Sequence, residues 1–307
     1  MSAVDYDLVI IGGGPAGLTA GIYACRSRLN VLLVEKAAVG GQIVITDWVE
    51  NYPGFPEGIS GYDLAEKMAA QAKQFGLKTE SDEVVSVDFT GDVKEISLSA
   101  RKVTSRAVII ASGASPKKLG IPGEDRFFGK GVSTCATCDG PFYREAVLAA
   151  VGGGDTAVQE SHFLTKFAKK VYLIHRRDEL RAAKILQERA FANDKIEIIW
   201  DSVVTSMNGF ALLENVTVEN VKTGESRQLD VKGCFVWIGT DPNTEFLNGS
   251  VKTDEWGFIK VNERMETSVP GVFAVGDVRT TPLRQIATAV GDSAIAAMSA
   301  EHYILAG

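Results

Sequence analysis

Histidine and cysteine are scarce in this 307-residue chain, at three and four copies. A closed zinc site needs about four ligands, commonly as two close pairs. Cys25, Cys234, His162, His175 and His302 stand singly along the chain, so a metal centre is not expected. Positive charge is also in short supply, with 32 Lys and Arg against 39 Asp and Glu. The formal net charge of -7 opposes attraction to phosphate backbones or anionic membrane surfaces, which argues against nucleic-acid and membrane partners. Long apolar runs are missing too. The opening "MSAVDYDLVIIGGG" has no basic flank, and its apolar run breaks at glycine, so neither a signal peptide nor a membrane span is expected and the cytoplasm is the expected location. What remains is an ordinary globular composition, 45% hydrophobic and 23% charged, and a length that suits two domains.

Two of the four cysteines are close together. "STCATCDG" sets Cys135 and Cys138 in a C-x-x-C with Asp139 directly behind. In a reducing compartment such a pair is redox-active or metal-binding more often than structural. With ligands for zinc lacking, the redox reading is the stronger one.

"YDLVIIGGGPAGLTAGIYACRSRLNVLLVEK" reads as a buried strand, a tight turn, a helix and a second strand. Gly12, Gly14 and Gly17 fit G-x-G-x-x-G. The first permits the turn, the second lets backbone approach a pyrophosphate, and the third lets helix pack on strand. Glu35 closes the second strand, where a carboxylate can accept hydrogen bonds from a ribose hydroxyl.

The pattern recurs 140 residues later in "VLAAVGGGDTAVQESHFLTKFAKKVYLIHRR". Gly152 and Gly154 align with Gly12 and Gly14, Ala157 with Gly17, and His175 with Glu35. One chain therefore carries two dinucleotide sites. The second copy ends in "HRRDELRA", which replaces the acid by His175 and adds Arg176, Arg177 and Arg181. A carboxylate there would repel a 2'-phosphate, whereas a guanidinium binds one through paired, charge-assisted hydrogen bonds, so the second site reads as NADPH-binding. The alternative is a solvated basic helix start, yet cations at a helix N-terminus oppose the helix dipole unless an anion offsets them. By elimination the first site takes the other dinucleotide, with FAD the natural candidate.

Together these residues closely resemble the low-molecular-weight, bacterial-type thioredoxin reductases of the pyridine nucleotide-disulfide oxidoreductase family. The likeness runs through "GGGPAG", "GGQI", "VENYPGFPEGISG", "IIASGASPKKLGIPGE", "CATCDGPFY", "GGGDTA", "HRRDELRA" and "GVFAVGDV" followed by "LRQIATA". It implies an α/β fold of two Rossmann-like three-layer nucleotide-binding domains, the NADPH domain inserted into the FAD domain. It implies FAD contacts from Gly12, Gly14, Pro15, Ala16, Gly17, Glu35 and Lys36, and from Gly41, Gln42, Thr46, Asn51 and Val84. Further FAD contacts are implied at Ala111, Ser112 and Gly113, at Gly276 and Asp277, and at Arg284, Gln285 and Ile286 beside the isoalloxazine. NADPH contacts are implied at Gly152, Gly154, Asp155, Thr156, His175, Arg176, Arg177 and Arg181. By the same resemblance Cys138 is the sulfur nearest the flavin, Cys135 attacks thioredoxin, and the enzyme is a homodimer through its FAD domains. Asp139, adjacent to the leaving thiolate, can serve as general acid, its alternative being a turn or capping acid. A reductase of another disulfide carrier or a dithiol oxidase remains open, as does a non-catalytic nucleotide-binding module, which would be colourless.

The order of motifs gives an FAD-binding domain over 1–114 and 244–307, with an NADPH-binding domain over 115–243 that also holds the redox pair. Both nicotinamide and disulfide must reach the flavin, and one surface of the inserted domain can hardly present both at once. The expectation is alternation between two domain orientations, hinged near 113–118 and 239–244, where Gly, Pro and polar residues gather. Cys25 and Cys234 fall in apolar surroundings and read as inert buried thiols. His162 and His302 read as surface or satisfied core residues. Trp48, Tyr52 and Phe55 read as packing around a Pro-Gly turn, the alternative being a role beside the flavin or at a subunit contact.

Overall fold

The computed structural model describes residues 4–46 and 48–306. The chain divides into two compact units, Met1–Ser115 with Asp241–Gly307, and Pro116–Thr240.

In the first unit the strand Tyr6–Ile11 lies between Val31–Glu35 and Lys102–Ile110, parallel to both, in register Leu8 with Val31 and Leu8 with Ala107. Lys78–Ser81 extends one side of the sheet in parallel. On the other side the long strand Lys102–Ile110 divides its edge. Its first half pairs antiparallel with Lys94–Leu98, and its last three residues pair parallel with Val272–Ala274. Successive residues of a strand face opposite ways, so the unbroken apolar run of Leu8 to Ile11 feeds two cores. Leu8 and Ile10 join Leu33 and Ile109 under the helices Pro15–Arg26, Gly61–Gln74 and Ile286–Ala306. Val9 and Ile11 join Leu32, Val108 and Ile110 on the other face.

The second unit repeats this frame. Val147–Gly152 lies between Lys170–Ile174 and Gly233–Trp237, again parallel to both, with Ile196–Ile199 and the short Val132–Ser133 at the edges. The 140-residue offset read from the motifs is thus a repeat of three-strand order as well. An antiparallel sheet of Ser202–Asn208, Asn215–Asn220 and Ser226–Asp230 covers one side.

The chain crosses between units at Ala114–Pro116 and Thr240–Pro242, which pair as a two-stranded sheet. Asn243 N–H donates to Gly113 C=O at 3.0 Å, and Lys117 N–H to Gly239 C=O at 2.9 Å. Cys25 and Cys234 are buried free thiols. Burial pushes both up, Cys234 to about 12, which suits inert packing. Tyr52 and Phe55 stack at 6.2 Å against the first core.

Candidate functional site

Each glycine turn is enforced by close backbone approach. Gly12 has φ +107°, and a Cβ there would collide with Ala111 C=O at the end of the neighbouring strand. A Cβ at Gly17 would run into Gly12 C=O, which is the tight helix-to-turn contact the motif anticipates. Gly14 differs. A Cβ there would meet only Gly41 Cα, at 3.9 Å, so this position opens outward into a cavity.

That cavity, about 440 Å³, lies wholly in the first unit. It collects Gly12, Gly14, Pro15, Ala16, Glu35, Lys36, Gly41 and Gln42 from the N-terminal stretch, with Ala111, Ser112 and Gly113. Gly276, Asp277, Gln285 and Ile286 close it from the C-terminal segment. The helix Pro15–Arg26 begins here without a side-chain cap or an acid in its first turn, which leaves N–H groups for an anion. A Cβ at Gly113 would meet nothing within 4 Å. Free helix donors, an open backbone at Gly14 and Gly113, and an acid at the strand end fit an adenine dinucleotide.

Glu35 is held before any ligand arrives. Its Oε2 accepts from Gly13 N–H at 2.6 Å and its Oε1 from Ala37 N–H at 2.8 Å. A carboxylate has about four lone-pair positions, so two remain for ribose hydroxyls. Asp277 sits in the turn Gly276–Val278. Burial pushes its carboxyl up, while Arg284 pulls it down and Asp292 pushes it up further. That turn is braced from behind. Arg279 donates to both Asp292 carboxylate oxygens, at 2.7 and 2.6 Å, and Gly276 N–H donates to Asp292 Oδ2 at 3.2 Å.

Several expected FAD residues stand off the cavity lining. Gly17 is packed inside the turn, and Val84 lies in the core of the opposite sheet face with Phe89 and Leu98. Asn51 Nδ2 donates to Gln285 Oε1 at 3.0 Å, which places it one contact back. Arg284 lays its guanidinium over the Phe258 ring at 4.0 Å. Thr46 C=O accepts from Gly61 N–H at 3.1 Å. Conversely Asn243, Ala289 and the short helix residues Ile43 and Val44 line the cavity without having been read from sequence. Asn243 exchanges hydrogen bonds with Ser112, donating to its C=O at 2.8 Å and accepting from its Oγ at 2.7 Å. No local pattern announces a partner 131 residues away.

In the second unit Gly152 has φ +151°, and a Cβ there would strike Trp237 C=O. Gly154 meets nothing within 4 Å and caps the helix Asp155–Leu164. Asp155 Oδ1 accepts from Ala183 N–H at 2.8 Å, and Gly153 C=O accepts from Arg181 N–H at 2.7 Å. The turn and the arginine loop are thereby tied together. Arg176, Arg177, Arg181 and Thr156 are exposed, and no carboxylate among the described residues pairs with the three guanidinium groups. His175 goes the other way. It is buried, its ring occupies the space a Cβ at Gly153 would need, and its Nε2 has no hydrogen-bond partner. Burial lowers its pKa, with Arg181 and Arg177 lowering it too, while the carbonyls of Glu179 and Gly152 oppose them.

The redox pair lies in this same unit. Cys135 and Cys138 form a disulfide around the single helical turn Ala136–Asp139. Cys135 N–H donates to Ser133 Oγ at 2.9 Å, Cys138 N–H to Cys135 Sγ at 3.1 Å, and Asp139 N–H to Cys135 C=O at 3.2 Å. Cys138 is exposed and Cys135 half-buried. The Asp139 side chain does not cap the turn Gly140–Tyr143 that follows it.

Comparison with known proteins agrees with this geometry. The family model for pyridine nucleotide-disulphide oxidoreductases matches residues 6–293. The thioredoxin reductase of Peptoclostridium litorale is 46% identical over 305 residues, covering 97% of each chain. Among solved structures, Lactococcus lactis thioredoxin reductase superposes with a TM-score of 0.97 at 44% identity, over 99% of this chain and 100% of that one. The T. acidophilum thioredoxin reductase gives 0.93 at 35% identity, over 98% and 99%. The chain belongs to the pyridine nucleotide-disulphide oxidoreductase family, and within it to the low-molecular-weight, bacterial-type thioredoxin reductases.

Proposed function

We propose that this protein is an NADPH-dependent flavoenzyme that reduces the disulfide of thioredoxin through Cys135 and Cys138. The observation that carries the reading is the placement of a half-exposed disulfide in the same unit as an arginine-flanked dinucleotide turn. A second dinucleotide cavity lies in the other unit. FAD, when bound, supplies the two-electron relay between a nicotinamide hydride and sulfur. Glu35 and the free N–H groups at Pro15–Arg26 hold it by ribose and pyrophosphate. Arg176, Arg177 and Arg181 grip the 2'-phosphate of NADPH, while Gly152 and Gly154 admit its pyrophosphate.

Once the pair is a dithiol, Cys135 thiolate attacks the partner's disulfide and displaces one partner thiolate. Cys138 thiolate then attacks Cys135 Sγ, releasing the second partner thiolate and restoring the Cys135–Cys138 bond. The partner gains two electrons and two protons. Asp139, next in sequence to Cys138, is the group we assign to move a proton at Cys138 Sγ.

The FAD-binding domain comprises the first and last segments, and the NADPH-binding domain the inserted one. Nicotinamide site and disulfide share the inserted domain, so the two domains alternate orientation about the paired crossings at Ala114–Pro116 and Thr240–Pro242. The working form is a homodimer. An apolar groove on the first domain, lined by Tyr23, Ile295, Met298 and His302, gives that contact a surface. No helix among the described residues is long and apolar enough to cross a membrane. A reducing cytoplasm suits a cycling cysteine pair.

The test is direct. Purified protein should be yellow, bleach anaerobically with NADPH, and pass electrons to added thioredoxin. A colourless protein that binds no FAD overturns the reading, and bleaching without thioredoxin reduction redirects it to another disulfide carrier.

A further inference from the structure

Trp237 ends the strand Gly233–Trp237, and both its main chain and its side chain are engaged. Its main chain is in register with Gly152, and its carbonyl fills the space that a Cβ at Gly152 would need. Its ring stacks on Phe235 at 5.6 Å, and Phe235 is fully buried. From this fixed base the indole Nε1–H reaches across 103 residues of sequence and donates to Thr134 C=O at 3.0 Å. The Thr134 carbonyl and the Cys135 N–H belong to one planar peptide group. The second of these donates to Ser133 Oγ at 2.9 Å. Both polar atoms of the peptide that leads into Cys135 are therefore held, one by a residue on the sheet and one by a neighbour. With the plane held at both ends, the backbone from which Cys135 projects is tied to the sheet.

We propose that Trp237 is a positioning residue for the redox disulfide: by holding the 134–135 peptide it keeps Cys135 Sγ where Cys138 can reach it, and so sets how readily the pair is reduced. Two thiols held in mutual reach have a high effective concentration for each other, which favours the disulfide over the dithiol. Releasing the peptide lowers that concentration and makes the pair easier to reduce. The inference rests on reading Cys135–Cys138 as the redox pair.

Trp237→Phe keeps a ring for Phe235 and deletes the donor. The holoenzyme is equilibrated in dithiothreitol buffers, and the fraction of Cys135 and Cys138 present as thiols is trapped by alkylation and counted by peptide mass. Losing one neutral hydrogen bond should shift the exchange equilibrium roughly fivefold toward the dithiol, about 20 mV more positive. Ser133→Ala, which frees the other end of the same peptide, should shift it the same way, and it carries the test if Trp237→Phe does not fold. Loss of thermal stability with no change in the exchange equilibrium means that Trp237 only packs, and overturns the proposal. A wild-type pair that titrates beside unchanged variants overturns this inference alone. A wild-type pair that never titrates overturns the redox reading and this inference with it.

Discussion

At the end of its second strand the first unit carries Glu35 and the second carries His175, under turns of the same build. Glu35 is drawn to the turn by hydrogen bonds from Gly13 and Ala37 and still lines the cavity. His175 makes no such offer. Its ring is folded beneath Gly153, and the exposed polar groups near that turn are instead the guanidinium groups that follow it. One backbone frame thus ends in two different ways, with a carboxylate acceptor lining the cavity in the first unit and a withdrawn ring beside exposed guanidinium groups in the second, and our assignment of FAD to one and NADPH to the other rests on that difference. The units differ in bracing as well. The Asp277 turn of the first leans on the Arg279–Asp292 pair, and the redox loop of the second leans on Trp237 and Ser133.

Substitutions can break this comparison at graded strength. Cys135→Ser in the second unit should cut thioredoxin reduction at least ~10³-fold, since the attacking thiolate is gone and Cys138 alone has no partner with which to close a disulfide and release the product, while FAD absorbance of the first unit is unchanged. Retained turnover, measured with NADPH and thioredoxin, would contradict the division of labour. Asp292→Ala strands the Arg279 guanidinium in a largely buried place and should cost about 3–5 kcal/mol, read as a lowered denaturant midpoint with weaker FAD retention. Arg176→Ala combined with Arg177→Ala should raise KM for NADPH about 10²-fold, leave FAD content alone, and leave KM for NADH nearly unchanged.

The smallest effect is a pH dependence. A histidine whose pKa is lowered on folding takes up its proton in the unfolded chain first, so its contribution is intact above the ordinary histidine pKa and is lost as pH falls below it. Between about pH 6.5 and 5 the unfolding free energy of the wild type should fall more steeply than that of His175→Asn, by at most about 1.4 kcal/mol per pH unit. Parallel denaturation curves for the two across that window would show that His175 titrates alike folded and unfolded.

Much of this was legible in the sequence because it is local. A buried strand, a glycine turn and a helix lie within about thirty residues, and their recurrence at one offset exposes the second unit without any knowledge of distant contacts. The sharing of one cavity by the first and last segments was implied by the family resemblance, whereas the order of strands within each sheet was not read from the sequence. What escaped depends on long closures or on side-chain direction. Asn243 reads as a linker residue until it is seen to bind Ser112. Trp237 reads as part of a buried apolar strand, and nothing in "CFVWIG" reports that its N–H reaches Thr134. His175 was identified by position, but a ring at a strand end can face outward or inward, and only the missing Cβ of Gly153 makes room for the inward course. Val84 lies on a strand whose apolar face turns to the core rather than to the cavity.

The two crossings that lie side by side at Ala114–Pro116 and Thr240–Pro242 have a consequence for engineering. Because entry and exit are neighbours, we expect the segment between them, which holds Arg176, Arg177, Arg181 and the Cys135–Cys138 pair, to be exchangeable as one cassette. Exchanging it between relatives should transplant coenzyme choice and vicinal sulfurs together, and the host that receives it need only supply the same pair of adjoining stubs.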